Sequence, residues 1–135
     1  MKNETQKWKV LIVEDEAPML QVLADKFSRE GFSVFQAKNG EEGLAITATE
    51  KPDVILLDIV MPIMDGMTML QKVREANEWG KNVPIIILTN LAANDKIIKG
   101  VVTAEPSYYL VKSDWNIDDI VRKVRECLEP STVTN

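Results

Sequence analysis

The chain has 135 residues, of which 45% are hydrophobic and 27% are charged, and its formal net charge is −5. This length suits one globular domain with a proper core, and the acidic balance, without any basic stripe, argues against nucleic acid as a direct partner. The absence of histidine excludes histidine metal sites and histidine-activated nucleophiles, and the single cysteine, Cys127, excludes an internal disulfide.

Two strand–helix units are predicted in the first half of the chain. The apolar run Trp8–Val13 predicts a buried strand. The helix after it starts near Pro18 and stops at Gly31, and its apolar stripe consists of Leu20, Leu23, Ala24 and Phe27. A second strand, Val34–Ala37, precedes Asn39, a residue type that caps helices, and the stripe of that helix consists of Leu44, Ala45 and Ala48.

Three more units follow. The strands are Val54–Leu57, Pro84–Leu88 and Tyr108–Val111. The third helix is marked by Met69, Leu70 and Val73, and a less regular fourth by Ile97, Ile98 and Val101. The fifth has Asn116 as its N-cap and the clearest stripe: Ile117, Ile120, Val121, Val124 and Leu128. Five such units predict a doubly wound α/β fold, a parallel sheet with helices on both faces.

We expect one domain over residues 1–135, with a core from about 8 to 128 and short flexible termini. No apolar run reaches the roughly 18 residues that a membrane span requires. The N-terminal stretch MKNETQKWKV lacks the apolar segment of a secretory signal, and one cysteine favours a reducing compartment. These observations predict a cytoplasmic protein without membrane contact.

Polar residues stand at the carboxyl ends of four predicted strands. They are Glu14, Asp15 and Glu16 after the first strand, Asp58 after the third, Thr89 after the fourth and Lys112 after the fifth. Because the carboxyl ends of parallel strands meet at one edge of the sheet, these side chains should converge in one cleft. Singly, each has a simpler interpretation: acids after a strand are common in turns, and Asp58 alone could be an exposed strand end.

The chemistry of such a cluster follows from its charges. Crowded carboxylates require a cation, and an all-oxygen site with open positions suits Mg²⁺. With the amine of Lys112 and the hydroxyl of Thr89 beside it, the site could cradle a phosphoryl group in transfer. Asp58 would then be the nucleophile that forms an acyl phosphate.

Four stretches of the chain resemble the receiver domain of two-component response regulators, of the stand-alone, chemotaxis-receiver type. They are VLIVEDE (10–16), VILLDIVMPIMDGM (54–67), IIILT (85–89) and YLVK (109–112), in the order of the family, and the resemblance covers about residues 8 to 128. The segment D-x-x-M-P-x-x-D-G is highly specific. The resemblance implies strand order 2-1-3-4-5 with five flanking helices, and a phosphoryl group passed to Asp58 from a partner histidine kinase or phosphotransfer protein.

The resemblance also implies a role for each site residue. Mg²⁺ would be held by Asp15, Asp58 and the backbone carbonyl of Val60, with Glu14 acting directly or through a water. Lys112 would pair with the phosphoryl oxygens. Thr89 and Tyr109 would form the switch, read by an unknown downstream protein on the face of the fourth helix, fifth strand and fifth helix. The protein would catalyse only its own phosphorylation and dephosphorylation.

Several residues of the loop and cleft carry expectations of their own. Pro62 is expected to shape the loop beside Asp58, and Gly66 to supply a backbone conformation that bulkier residues resist. Val60 and Leu91 stand two residues beyond Asp58 and Thr89, at positions that flank the phosphoryl group in receiver domains. Both are apolar, so neither can orient an attacking water, and we expect a long-lived phosphoryl group; the alternative is that both merely line the cleft. Trp115 could be an exposed anchor for a partner or could pack on its neighbouring helix.

One departure from the family pattern and three other functions remain open. Lys112 precedes Ser113 where proline is usual, which leaves open the isomer of that peptide bond and the reach of the lysine. An aspartate-nucleophile phosphohydrolase usually has a second acid where this chain has Val60. A flavin or nucleotide carrier usually has a glycine-rich phosphate loop, which this sequence lacks. The last alternative is a receiver-like interaction module that is not phosphorylated.

Overall fold

The computed structural model describes residues 7–61, 63–90 and 106–129. In this part of the chain, five parallel strands form one sheet in the order β2-β1-β3-β4-β5, which confirms the predicted fold class and strand order. The strands are β1 (Lys9–Val13), β2 (Ser33–Ala37), β3 (Val54–Leu57), β4 (Ile85–Thr89) and β5 (Tyr108–Val111). Each lies within a residue of its predicted position, and Thr89 is the last residue of β4.

The helices of the described residues connect these strands. They are α1 (Ala17–Arg29), α2 (Gly40–Glu50), α3 (Gly66–Ala76), a short α4 (Glu78–Asn82) and α5 (Ile117–Leu128), with a single 3₁₀ turn at Lys112–Asp114. Both predicted caps are present: Asn39 accepts a hydrogen bond from the backbone N–H of Glu42, and Asn116 accepts one from Asp119. None of these helices is long and apolar enough to cross a membrane.

The sheet separates two hydrophobic clusters because side chains alternate along each strand. One cluster joins Val10, Ile12, Val54 and Leu56 of the sheet to α1 and α5, through residues such as Phe27, Ile120, Val121 and Val124. The other joins Leu11, Val13, Ile55 and Leu57 to α3, through Met69, Leu70 and Val73. Strands covered on both faces explain why their sequences are continuously apolar.

Three details differ from the sequence prediction or fall outside the described residues. Helix α2 exists, but its predicted stripe was wrong: Ala45 and Ala48 are exposed, Leu44 is only half-buried, and the buried residues are Gly40, Gly43 and Thr47. The inward face is small because α2 lies close to α3, so that a Cβ on Gly43 would stand 2.8 Å from the Met69 side chain. The short helix α4 was not predicted, since five residues are too few to show a stripe. The predicted helix around Ile97, Ile98 and Val101 lies outside the described residues.

Candidate functional site

Two acids of the candidate site are held by the ends of the three neighbouring strands β2, β1 and β3. The backbone N–H of Glu14 donates to the carbonyl of Ala37 at 3.0 Å, and that of Asp58 donates to the carbonyl of Val13 at 3.0 Å. The parallel ladder therefore continues one residue beyond β1 and β3. It places the two carboxylates side by side at the carboxyl edge of the sheet, the edge at which doubly wound folds bind ligands.

Lys112 joins these two carboxylates. Its Nζ lies 2.5 Å from Glu14 Oε1 and 3.2 Å from Asp58 Oδ2. Asp58 is 6% exposed and Glu14 is 2% exposed, so the interpretation of Asp58 as an exposed strand end was wrong. No peptide bond of the described residues is cis, so the Lys112–Ser113 bond is trans, and the lysine reaches both acids in that isomer.

The electrostatics of the three groups follow from burial and pairing. Burial raises the pKa of Glu14 above its ordinary value, and the hydrogen bond from Lys112 opposes that rise. Burial by itself would lower the pKa of Lys112, but its hydrogen bond to Glu14 and the charge of Asp58 outweigh burial, so the pKa of the amine is raised. Lys112 therefore stays cationic at neutral pH and offsets part of the negative charge of the site.

A third acid completes a set of oxygens that could hold a cation. Glu14, Asp15 and Asp58 each offer a carboxylate oxygen, and these three atoms all lie within 4.8 Å of one another. Asp15 is exposed where the other two are buried. An open cavity of about 370 Å³ lies beside them, lined by Asp15, Glu16, Asp58, Val60 and Asn90. Hard oxygen donors next to an open space fit Mg²⁺, which keeps several waters when bound.

The loop after Asp58 is tied to that residue in two ways. The backbone N–H of Val60 donates to Asp58 Oδ1 at 3.0 Å and, together with the contact of Lys112 with Oδ2, orients the carboxylate. The expected role of Gly66 was wrong, since its φ is not positive; among the described glycines only Gly31 has a positive φ. A Cβ on Gly66 would instead stand 2.4 Å from the carbonyl oxygen of Asp58, so the glycine is needed for close approach of two backbones. Pro62 lies outside the described residues.

Thr89 and Tyr109 occupy neighbouring strands on the same face of the sheet. Thr89 pairs in register with Val111, and Tyr109 pairs with Ile87, so the two side chains are diagonal neighbours. Thr89 is fully buried and Tyr109 is half-buried. Burial raises the pKa of the Tyr109 hydroxyl, and the negative charge of Asp58 raises it further, which places the ring within the electrostatic influence of the site.

Sequence reasoning missed two residues of the cavity. It also left open the role of Trp115, which lies outside the lining of this cavity. Glu16 was noted only as part of an acidic run, and Asn90 carried no expectation, yet both line the cavity beside Asp58. The signal for both was their position directly after a strand or beside a strand-end acid. Trp115 is half-buried and packs against the core cluster on the α1 and α5 side of the sheet, so the packing alternative was correct. Leu91 lies outside the described residues.

Comparison with known proteins points to one family. The family model for the response regulator receiver domain matches residues 10–125. The chain is 33% identical over 128 residues to sporulation initiation phosphotransferase F of Bacillus subtilis strain 168, covering 95% of this chain and 96% of that protein. It is 37% identical over 125 residues to the probable transcriptional regulator ycf27 of Porphyra purpurea, covering 93% of this chain and 49% of that protein. The chain therefore spans about half the length of this second relative.

A solved structure gives the same result for the fold. The chemotaxis protein CheY4 of Vibrio cholerae superposes with a TM-score of 0.83 at 28% sequence identity, and the match covers 91% of this chain and 100% of that one.

Proposed function

Since the chain belongs to the response regulator receiver family, we propose that it is a phosphoryl-accepting switch in which Asp58 takes a phosphoryl group from a partner histidine kinase or phosphotransfer protein. Phosphorylation-based signalling is the function of this family, and its receiver domains interact with histidine kinases or phosphotransfer proteins. The observation that carries the assignment to Asp58 is its buried carboxylate, hydrogen-bonded to Lys112 and open to a cavity on one side.

Receiver domains bind Mg²⁺ at an acidic pocket, and the grouped oxygens of Glu14, Asp15 and Asp58 support the same assignment here. We propose the backbone carbonyl of Val60 as a fourth ligand, because its own N–H already holds Asp58. The bound ion would supply positive charge that offsets the carboxylates and the phosphoryl oxygens.

The proposed transfer uses side chains that are already oriented. A carboxylate oxygen of Asp58 attacks phosphorus, a new P–O bond forms, and the P–N bond to the donor imidazole breaks with its electron pair on nitrogen. Lys112 then pairs with a phosphoryl oxygen, and the hydroxyl of Thr89 donates a hydrogen bond to another. The apolar Val60, 56% exposed at the mouth of the cavity, offers no group to orient an attacking water, so we expect slow loss of the phosphoryl group.

The proposed output is a population shift that starts at Thr89. Movement of its hydroxyl toward the phosphoryl group vacates space for Tyr109, its diagonal neighbour on β5. The face formed by β5 and α5, together with the predicted fourth helix, would then contact a downstream protein. On that face Lys123 Nζ lies 4.6 Å from the ring centroid of the half-buried Tyr108.

We also propose that residues 1–135 form a single receiver domain with its core at about 8–128. In this proposal the domain acts in the cytoplasm through protein contacts, without direct nucleic-acid or membrane binding. Its only catalysis would be its own phosphorylation and dephosphorylation.

The test is the intact mass of the protein after incubation with Mg²⁺ and acetyl phosphate. Wild type should gain one phosphoryl group, and Asp58→Asn, which keeps the shape of the side chain, should gain none. Asp25→Asn is the matched control: it removes an exposed acid on α1 and should be phosphorylated like wild type. Phosphorylation of Asp58→Asn at the wild-type rate would refute the assignment.

The same experiment, together with an assay of phosphate-ester hydrolysis, separates two other candidate functions. A phosphohydrolase would turn over a small phosphate ester, but the position that needs a second acid is occupied by the exposed, apolar Val60. An interaction module without phosphorylation would gain no mass with any donor. The buried contact of Lys112 with Asp58 favours a phosphorylation site over an interaction module that is not phosphorylated.

A further inference from the structure

Among the described residues, five charged side chains surround the proposed phosphorylation site, and their charges do not balance. Lys112 Nζ lies within 4.0 Å of carboxylate oxygens of Glu14, Glu16 and Asp58, and Asp15 stands beside them. Four carboxylates against one ammonium leave a formal charge of −3 for these described residues. A divalent cation reduces this charge to −1. Without Glu16 the loaded site would be neutral, so this residue supplies the net negative charge that an incoming donor meets.

Glu16 contributes charge at the mouth of the cavity but little to the fold. Its Oε1 lies 3.8 Å from Lys112 Nζ, its side chain is 62% exposed, and it lines the cavity beside Asp58. Glu16 is the N-cap of α1, but its side chain makes no capping hydrogen bond. Its structural contact is made by its backbone N–H, which donates to Glu14 Oε2 at 3.1 Å. Glutamine at this position keeps the backbone contact and the shape of the side chain, and removes only the charge.

We propose that Glu16 is a specificity-determining residue that selects phosphodonors by charge. It disfavours dianionic acyl phosphates and favours phosphoramidate-type donors, which share the P–N bond of a phosphohistidine and whose protonated nitrogen lowers their net negative charge. This inference rests on the proposed phosphorylation of Asp58. The repulsion between Glu16 and a donor grows with each negative charge on the donor, so a dianion is affected twice as strongly as a monoanion in free energy.

Two small donors of different charge give the same product. With acetyl phosphate, a dianion near neutral pH, a P–O bond breaks and acetate leaves with the electron pair. With phosphoramidate, a monoanion whose nitrogen is already protonated, a P–N bond breaks and ammonia leaves. Both reactions form one P–O bond to Asp58, and the difference in leaving group is the same for every variant, so a change in the ratio of their rates between variants isolates the effect of donor charge.

The experiment measures phosphorylation rates of wild type, Glu16→Gln and Glu75→Gln by intact mass at saturating Mg²⁺ and low ionic strength. Glu75 is an exposed glutamate near the far end of α3, so its variant makes the same charge change away from the site. For a unit charge at about 7 Å in a water-like dielectric, removal of Glu16 should raise the acetyl phosphate to phosphoramidate rate ratio about threefold. Glu75→Gln should keep the wild-type ratio.

Added salt provides a second readout. Because screening weakens the repulsion, salt should accelerate the acetyl phosphate reaction of wild type more than that of Glu16→Gln. An unchanged rate ratio in Glu16→Gln, or equal acceleration of wild type and Glu16→Gln by salt, overturns the inference, while phosphorylation of wild type leaves the proposed function standing. If neither donor phosphorylates wild type, the proposed function falls and the inference falls with it.

Discussion

Replacement of Gly66 by alanine is the sharpest test of how the loop holds the proposed phosphoacceptor. The new Cβ would stand 2.4 Å from the carbonyl oxygen of Asp58 and 2.6 Å from the Cα of Ile59, where ordinary contacts begin at 3.4 Å. Both obstacles are backbone atoms, so the two segments must separate by about 1 Å. Overpacking of this kind costs about 2–3 kcal/mol. For a chain of this length that cost lowers the melting temperature by roughly 7–10 °C.

Gly43→Ala is the matched control for this prediction. It is also a helical glycine at a close contact, but its Cβ would meet the flexible tip of Met69 at 2.8 Å and 2.9 Å. Met69 can move, and alanine favours the helix, so the net change should stay within about 1 kcal/mol. Thermal and urea unfolding of both variants provide the comparison. Gly66→Ala should also be phosphorylated more slowly, because the Asp58 backbone is displaced. Equal stability of the two variants would show that the backbone approach at Gly66 is not a constraint.

Three further substitutions test separate parts of the structure. Lys112→Gln removes the ammonium group that pairs with two buried carboxylates, so the free energy of unfolding in metal-free buffer should fall by about 3 kcal/mol. Mg²⁺ should then shift the urea midpoint of this variant more than that of wild type, and an equal shift would contradict the pairing. Val60→Asn supplies an amide that can orient a water, so intact-mass time courses should show faster loss of the phosphoryl group. An unchanged rate of loss would count against the proposal that the apolar Val60 slows hydrolysis. The hydrogen bond from Lys26 holds the pKa of Asp118 below its ordinary value of 3.8. The ionised carboxylate therefore stabilises the fold fully above pH 3.8. This stabilisation is lost as the pH falls through the lowered pKa. Asp118→Asn should therefore flatten the acid side of a plot of urea midpoint against pH, and an unchanged slope would argue against the ion pair.

The pattern of apolar residues predicted much of the fold because that pattern is local. Continuous apolar runs located the five strands, and Asn39 and Asn116 located the starts of two helices through contacts only three residues away. The same reasoning failed for the inward face of α2, where small residues are buried. Periodicity of large apolar side chains cannot detect a face that is buried because two helices approach closely.

Sequence position also predicted which polar residues would meet, because parallel strands bring their carboxyl ends to one edge. The order of the strands and the individual roles came from the resemblance to receiver domains. The close contact that defines the site joins Lys112 to Glu14 and Asp58, which are 98 and 54 positions away along the chain.

The sequence by itself therefore determined the five strands, the acidic edge of the sheet and the family. Only the tertiary structure decided that Lys112 reaches its partners through a trans bond, that Gly66 serves close approach and not an unusual φ, and that Glu16 joins the cavity. The physical reason is that burial periodicity is encoded within a few residues. Distances between strand ends depend instead on the twist of the sheet and on how closely its helices pack.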